Sequence, residues 1–167
     1  MLGGFELALW SLLAISSLTD LIWGKVYNWT TFAFFFAGLV CRFGLEGSSA
    51  GFESVQAIGM AMVLFLPLYI LGVVAAGDVK LLMAFAAWSG PTVVVRMAVL
   101  GILVGAAVGL LTLIQSRGFA SGAESIFKHA SGKAEESESF RMAFAPAFLV
   151  AYLVLDVAMY RHWNLWI

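Results

Sequence analysis

Hydrophobic residues along the chain are grouped in long blocks, and short polar segments separate them. A helix needs roughly 20 mainly apolar residues to cross the hydrocarbon core of a bilayer, although about 17 are tolerated. The blocks predict six membrane-spanning helices, at about residues 3–19, 29–45, 52–74, 79–89, 92–115 and 140–160. We therefore expect an all-α fold, a polytopic membrane helix bundle.

Glycine and proline residues indicate where the fourth predicted helix ends and how the fifth packs. The fourth predicted helix is short and is closed by Gly90-Pro91, a pair that interrupts helices. The fifth carries Gly101, Gly105 and Gly109 at four-residue spacing, which indicates a smooth face for close helix packing. The polar segment at about residues 116–139 is expected to form a solvated loop within a single membrane-embedded domain, residues 1–167.

Composition agrees with a lipid environment, since 62% of the residues are hydrophobic, 11% are charged and the mean hydropathy is +0.98. The net charge of −1 gives no indication of nucleic-acid binding. Cys41 is the only cysteine, which excludes an intramolecular disulfide and a multi-cysteine zinc site. No cofactor and no metal are expected.

Basic residues predict the orientation of the bundle, because short cytoplasmic loops hold more Lys and Arg than exported ones. The first helix has no basic segment before it and contains Glu6, so we expect a retained helix rather than a removable signal peptide. With the N-terminus outside, the cytoplasmic side receives Lys25, Lys80, Arg117, Lys128, Lys133 and Arg141, whereas the outer side receives Arg42, Arg96 and Arg161. The loops between helices one and two, three and four, and five and six then face the cytoplasm.

Two aspartates at the predicted helix ends carry the candidate chemistry. Asp20 ends the first helix and Asp78 opens the fourth, so both fall at the cytoplasmic border. Ionisable groups at membrane helices are functional candidates. If folding brings the two together, repulsion leaves one protonated and one ionised, which suits peptide hydrolysis. Gly77 would let the backbone pass tightly there. The alternative is that Asp20 is a plain helix-end residue and Asp78 a plain N-cap.

At these positions the chain resembles the prepilin peptidases, also called type IV leader peptidases, which are membrane aspartic proteases. The family has an aspartate after its first membrane helix, then a basic residue and an Ile-Pro-Asn-like turn; residues 20–29 read DLIWGKVYNW here. Its Gly-x-Gly-Asp-x-Lys-Leu motif is similar to AAGDVKL at residues 75–81, and its last helix starts like FAPA at residues 144–147.

The resemblance implies Asp20 and Asp78 as the catalytic pair. It also implies an active-site loop and supporting residues: Gly77, Lys80, Lys25 and Asn28. Two positions depart from the family pattern. Ala75 replaces a glycine and would be penalised by a positive backbone φ, and Tyr27 replaces a proline.

The resemblance further implies a short, peptidase-only form. Larger members carry two Cys-x-x-Cys pairs and methylate the pilin, but Cys41 is alone and the predicted loop between helices one and two has about nine residues. Similar short members serve Flp-type pili, so the implied substrate is a prepilin with a hydrophobic helix, cut after a glycine. The implied location is the bacterial inner membrane.

Two other hypotheses remain open. In one, the protein is a small ion- or proton-coupled transporter that uses both aspartates; in the other, it is a non-catalytic pilus-assembly protein that lost turnover through Ala75. Asp156 lies deep in the sixth predicted helix and is a weaker candidate for a third catalytic group. Ser16 and Ser17 have no histidine in a recognisable motif, which disfavours a serine hydrolase.

Overall fold

The computed structural model describes residues 5–117 and 144–160, which form six helices and no strand. The helices are α1 (Glu6–Trp23), α2 (Asn28–Leu45), α3 (Ser48–Ile70), α4 (Ala76–Ala86), α5 (Pro91–Arg117) and α6 (Phe144–Tyr160). The prediction of an all-helical bundle is therefore confirmed. The predicted polar loop at 116–139 lies outside the described residues, except for its first two residues, which belong to α5.

The outside of the bundle is apolar. Three helical stretches are long and apolar enough to cross a membrane: Glu6–Trp23, Ser48–Ile70 and Pro91–Leu111. Several large apolar side chains are at least 71% exposed: Leu7, Trp29, Val40, Leu45 and Ile70. Water would drive such a surface to associate, whereas lipid tails solvate it while the helices satisfy their own backbone groups. The fold is a helical membrane bundle.

Helix α4 occupies the centre of this bundle and packs against each of the other five helices. Seven of its 11 residues are buried, from Asp78 to Ala86. A helix that is buried on all sides is also apolar on all sides, as the sequence of α4 is after its first turns. Because its neighbours shield it from lipid, α4 does not need the length of a lipid-facing helix. Asp78 thus stands at the start of the central helix.

Small residues allow the helices to approach closely. A Cβ built on Gly101 would lie 2.6 Å from the Phe148 ring, so the glycine-bearing face of α5 packs against α6, as its spacing predicts. A Cβ on Gly38 would lie 2.9 Å from the Trp88 ring. The indole Nε1–H of Trp88 donates a 2.8 Å hydrogen bond to the backbone carbonyl of Phe34. These contacts fix α4 between α2 and the rest of the core.

The ends of the helices differ from the predicted ones. Helix α1 continues through Asp20 to Trp23, and Gly24 ends it in the left-handed conformation, with φ 61° and its N–H donating to the Asp20 carbonyl at 2.8 Å. The expected loop of about nine residues is therefore wrong: only residues 24–27 separate α1 from α2. Helix α4 begins at Ala76, three residues before the predicted start at about residue 79, so Asp78 is its third residue.

Arg42 joins α2 to α3 at the end of the bundle away from Asp20. Its guanidinium pairs with Glu46 one turn later and with Glu53 of α3 at 3.3 Å. Its Nε–H also donates to the buried hydroxyl of Ser54 at 3.1 Å. A planar guanidinium suits such divided contacts. This cluster has a structural role in closing the turn between α2 and α3.

Candidate active site

Four helix ends meet at one end of the bundle, which we call the acidic end: the last turn of α1 and the first turns of α2, α4 and α6. The backbone N–H of Ala145 in α6 donates to Asp20 Oδ2 at 3.2 Å, which joins α6 to α1. Lys80 Nζ donates to Asn28 Oδ1 at 2.9 Å, which joins α4 to α2. Residues far apart in the chain are thereby collected around one small volume.

Asp78 is held by the backbone that precedes it. Its Oδ2 accepts a 2.9 Å hydrogen bond from the N–H of Ala75, the residue before the helix. This is one of the two bonds of a capping box, in which the side chain of the third helical residue accepts from the N–H of the N-cap residue. The second bond cannot form here, because alanine at the N-cap has no side-chain acceptor. Asp78 is 4% exposed, and within residues 5–111 and 145–158 it is the only buried Asp, Glu, Lys or Arg residue. The reading of Asp78 as a plain N-cap is therefore wrong, since Ala75 occupies that position.

Asp20 lies in the last turn of α1 and is half-buried. Its carboxyl group meets the N-terminus of α6 through the Ala145 N–H. Helix N-termini favour negative charge because their first N–H groups lack partners within the helix. Asp20 and Asp78 also interact electrostatically with each other. The two carboxyl groups thus share the acidic end, and each is held by one backbone N–H from another segment or turn.

The basic and amide residues of the predicted site divide into two groups. Lys80 is brought together with Asn28 by their hydrogen bond, and its ammonium group lies 6.0 Å from the centre of the Phe32 ring. This contact ties the first turns of α2 and α4. Lys25 is exposed in the loop at 24–27. Lys80 and Asn28 therefore support the position of α4, while Lys25 faces outward.

The backbone around positions 75 and 77 explains which small residues are needed. Ala75 has φ −83° and ψ 157°, an ordinary extended conformation, so alanine is unstrained in place of the family's glycine. A Cβ on Gly77 would lie 3.3 Å from Cβ of Val26 and 3.7 Å from its Cγ2. Gly77 thus lies in close approach to the loop between α1 and α2, and a larger side chain would require Val26 to move.

Sequence reasoning missed two contacts of this site. Val26 was not singled out, and nothing in its apolar character distinguishes it from a lipid-facing residue. The Ala145 N–H was missed too, although Pro146 gave a signal: proline early in a helix marks the turn in which backbone N–H groups lack helical acceptors. Within residues 5–117 and 144–160, no group of three or more His, Cys, Asp and Glu residues could hold a metal ion.

Taken together, the fold and the acidic end define a helical membrane protein with a pair of carboxyl groups at one end of the bundle. A family model described as the type IV leader peptidase family matches residues 7–110, well over half of the chain and a range that includes both aspartates. The chain belongs to the type IV leader peptidase family, and it is a leader peptidase. Comparison with curated proteins and with solved structures gave no match.

Proposed function

We propose that this leader peptidase is an intramembrane aspartic endopeptidase, in which Asp20 and Asp78 cut the leader from a prepilin. The observation that carries the proposal is that these two carboxyl groups lie at one end of the bundle, close enough for their charges to repel each other. Each is held by a backbone N–H, from Ala145 and Ala75 respectively. Fixed carboxyl groups are suited to proton transfer because their geometry is set before the substrate arrives.

The proposed reaction needs one ionised and one protonated carboxyl group. The ionised group removes a proton from water, and the water oxygen attacks the carbonyl carbon of the scissile peptide. The protonated group hydrogen-bonds the carbonyl oxygen and stabilises the negative charge that develops there. The C–N bond then breaks as the leaving nitrogen takes a proton from the carboxyl group that received one. No covalent intermediate and no cofactor takes part.

The proposed location is the bacterial inner membrane, with the acidic end at the cytoplasmic face and the N-terminus outside. Lys25 and Lys80 lie at this end, in agreement with the positive-inside rule. A prepilin has a leader in the cytoplasm and a hydrophobic helix in the bilayer. Its scissile bond would therefore meet the two aspartates at the membrane border.

The proposed substrate class is a prepilin of the Flp type or another type IV prepilin, cut without later methylation. The connection between α1 and α2 has only residues 24–27, which leaves no room there for a cysteine-rich domain. Cys41 lies within α2 and is the only cysteine. Two Cys-x-x-Cys pairs cannot be built from this chain.

The direct test is leader removal by purified protein in lipid vesicles. The substrate is a membrane helix preceded by glycine and a basic leader on the vesicle exterior, and the products are measured by mass spectrometry. We expect one cut after the glycine. A matched substrate with leucine in place of that glycine should remain intact. If folded protein leaves both substrates whole, the proposed reaction is wrong.

The same vesicles distinguish the transporter hypothesis from the peptidase proposal. A transporter that uses the aspartates to carry a cation or a proton predicts ion flux without peptide cleavage. Measuring internal pH and sodium alongside cleavage therefore distinguishes the two functions. Flux without cleavage would replace the peptidase proposal.

Ala75→Gly tests the hypothesis of a non-catalytic family member. Because Ala75 has a negative φ, we expect the glycine variant to cleave the leader with kcat/KM within about threefold of the wild type, since no strain is relieved. The measurement is the initial rate of leader removal over a range of substrate concentrations. Activity that arises only in the glycine variant would show that alanine had abolished turnover.

A further inference from the structure

Ser16 carries a buried hydroxyl group that the proposed mechanism does not yet use. It lies on α1, four residues before Asp20, and is 1% exposed. Its Oγ has no hydrogen-bond partner within the part of the chain that the structure describes. Burial of a hydroxyl group without a partner is unfavourable. This atom is therefore available for a bond that forms during function.

The behaviour of Ser16 differs from that of other helical hydroxyl groups in the bundle. A serine or threonine in a helix commonly donates to a backbone carbonyl three or four residues earlier. Four hydroxyl groups do so here: those of Ser11, Thr19, Thr31 and Ser54. The Ser16 hydroxyl forgoes this local bond, so helix geometry alone does not account for it.

The position of Ser16 points to Asp20 as its partner. Residues four apart lie on the same face of a helix, with Cβ atoms about 5–6 Å apart. Helical side chains lean toward the N-terminus, so the carboxyl group of Asp20 leans over the turn that contains Ser16. The buried stripe of α1 leads to the same face: Leu9, Leu12, Leu13 and Ser16 precede Asp20 along it.

We propose that Ser16 is a positioning residue for leader removal, and that its hydroxyl hydrogen-bonds the carboxyl group of Asp20 while substrate is bound. This inference rests on the proposed function. A hydroxyl group both donates and accepts, so it serves either protonation state of that carboxyl group. The Ala145 N–H already holds Oδ2 at 3.2 Å. The bond from Ser16 adds a second contact to the same carboxyl group.

The test compares Ser16→Ala with Ser17→Ala in the vesicle assay. Ser17 is the matched control, because it is a serine at 4% exposure whose side chain points about 100° away around the helix. For Ser16→Ala we expect kcat to fall by about tenfold with KM unchanged within about twofold, because the lost bond orients a reacting group. Ser16→Thr should recover most of the loss, and Ser17→Ala should leave kcat near the wild-type value.

Thermal unfolding separates this role from a structural one. Ser16→Ala removes a hydroxyl group without a partner, so its Tm should not fall. If the alanine variant fails to fold, Ser16→Cys carries the test, since the thiol is similar in size but a weak hydrogen-bond donor. If folded Ser16→Ala or Ser16→Cys has the wild-type kcat while Asp20→Asn is inactive in the same assay, the role of Ser16 is wrong and the proposed function stands. A wild-type protein that cuts no leader would overturn the proposed function and this role together.

Discussion

Asparagine at position 20 or at position 78 is expected to lower kcat for leader removal by about a thousandfold, because a positioned general acid or base contributes about 10²–10⁴-fold. The substitution is conservative for the fold. Asparagine keeps a side-chain oxygen that can accept the Ala145 N–H at position 20 or the Ala75 N–H at position 78. The variant loses the titratable group while the helix ends keep their hydrogen bonds.

The double variant, with asparagine at both positions, tests whether the two groups act as a unit. Once one partner of a cooperative pair is missing, removal of the other costs little more. We expect the double variant to cleave the leader about as slowly as each single variant. The measurement is the single-turnover rate of leader removal with a large excess of enzyme. If the rate loss in the double variant equals the product of the two thousandfold single losses, the two aspartates have separate roles.

Asp156→Asn provides the matched control for these variants. Asp156 is also a half-buried aspartate in a membrane helix, but it lies 12 residues after the start of α6, toward the other end of the bundle. It lies close enough to Tyr152 to interact with it electrostatically. Its asparagine variant should keep kcat within about threefold, because no reacting group is touched. Wild-type cleavage by Asp20→Asn or Asp78→Asn would rule out the catalytic pair.

Much of the fold could be predicted because lipid imposes a simple requirement on composition. The apolar blocks predicted the order of the six helices that the structure describes, and the glycine spacing predicted a packing face of α5. The predicted ends of the helices were less accurate, because the length of an apolar segment carries no information on helix capping. Gly24 was a readable stop signal after Trp23 that would have extended α1 beyond Asp20. Asp78 could have been read as the third residue of α4, which bonds backward to its N-cap.

The candidate site was predictable in its residues but not in its contacts. Asp20 and Asp78 stand out because charges near membrane helices are rare. The bond between Asp20 and the Ala145 N–H joins positions 125 residues apart and depends on how α6 packs against α1. The Ser16 hydroxyl, which has no hydrogen-bond partner among the described residues, is likewise a consequence of tertiary packing, since its local sequence permits the usual bond to the backbone. Such contacts follow from the arrangement of helices, which one sequence does not specify.

Gly77 gives the second large expected effect, and its cause is steric. A Cβ at position 77 would lie 3.3 Å from Cβ of Val26, which is tighter than most real contacts, and the branches of a valine would require more movement. We expect Gly77→Val to displace the first turn of α4, which contains Asp78. A shift of about 1 Å in a reacting group can cost about a hundredfold in rate, so kcat should fall by about that factor. Gly77→Ala should show a smaller loss.

A second substitution in the loop separates this steric effect from a need for glycine itself. Val26→Gly removes both atoms that a built Cβ would approach, which are Cβ at 3.3 Å and Cγ2 at 3.7 Å. In that background Gly77→Ala should regain most of its activity. In the same background, Gly77→Ala should also raise the Tm above that of the Val26 variant alone, because alanine in a helix is favoured over glycine by about 1 kcal/mol. The cycle is measured as leader removal and thermal unfolding for Gly77→Ala, Val26→Gly and the double variant. If the double variant is no more active than Gly77→Ala alone, contact with Val26 is not the reason for glycine. The requirement would then come from the substrate side, where a backbone strand must pass beside Asp78.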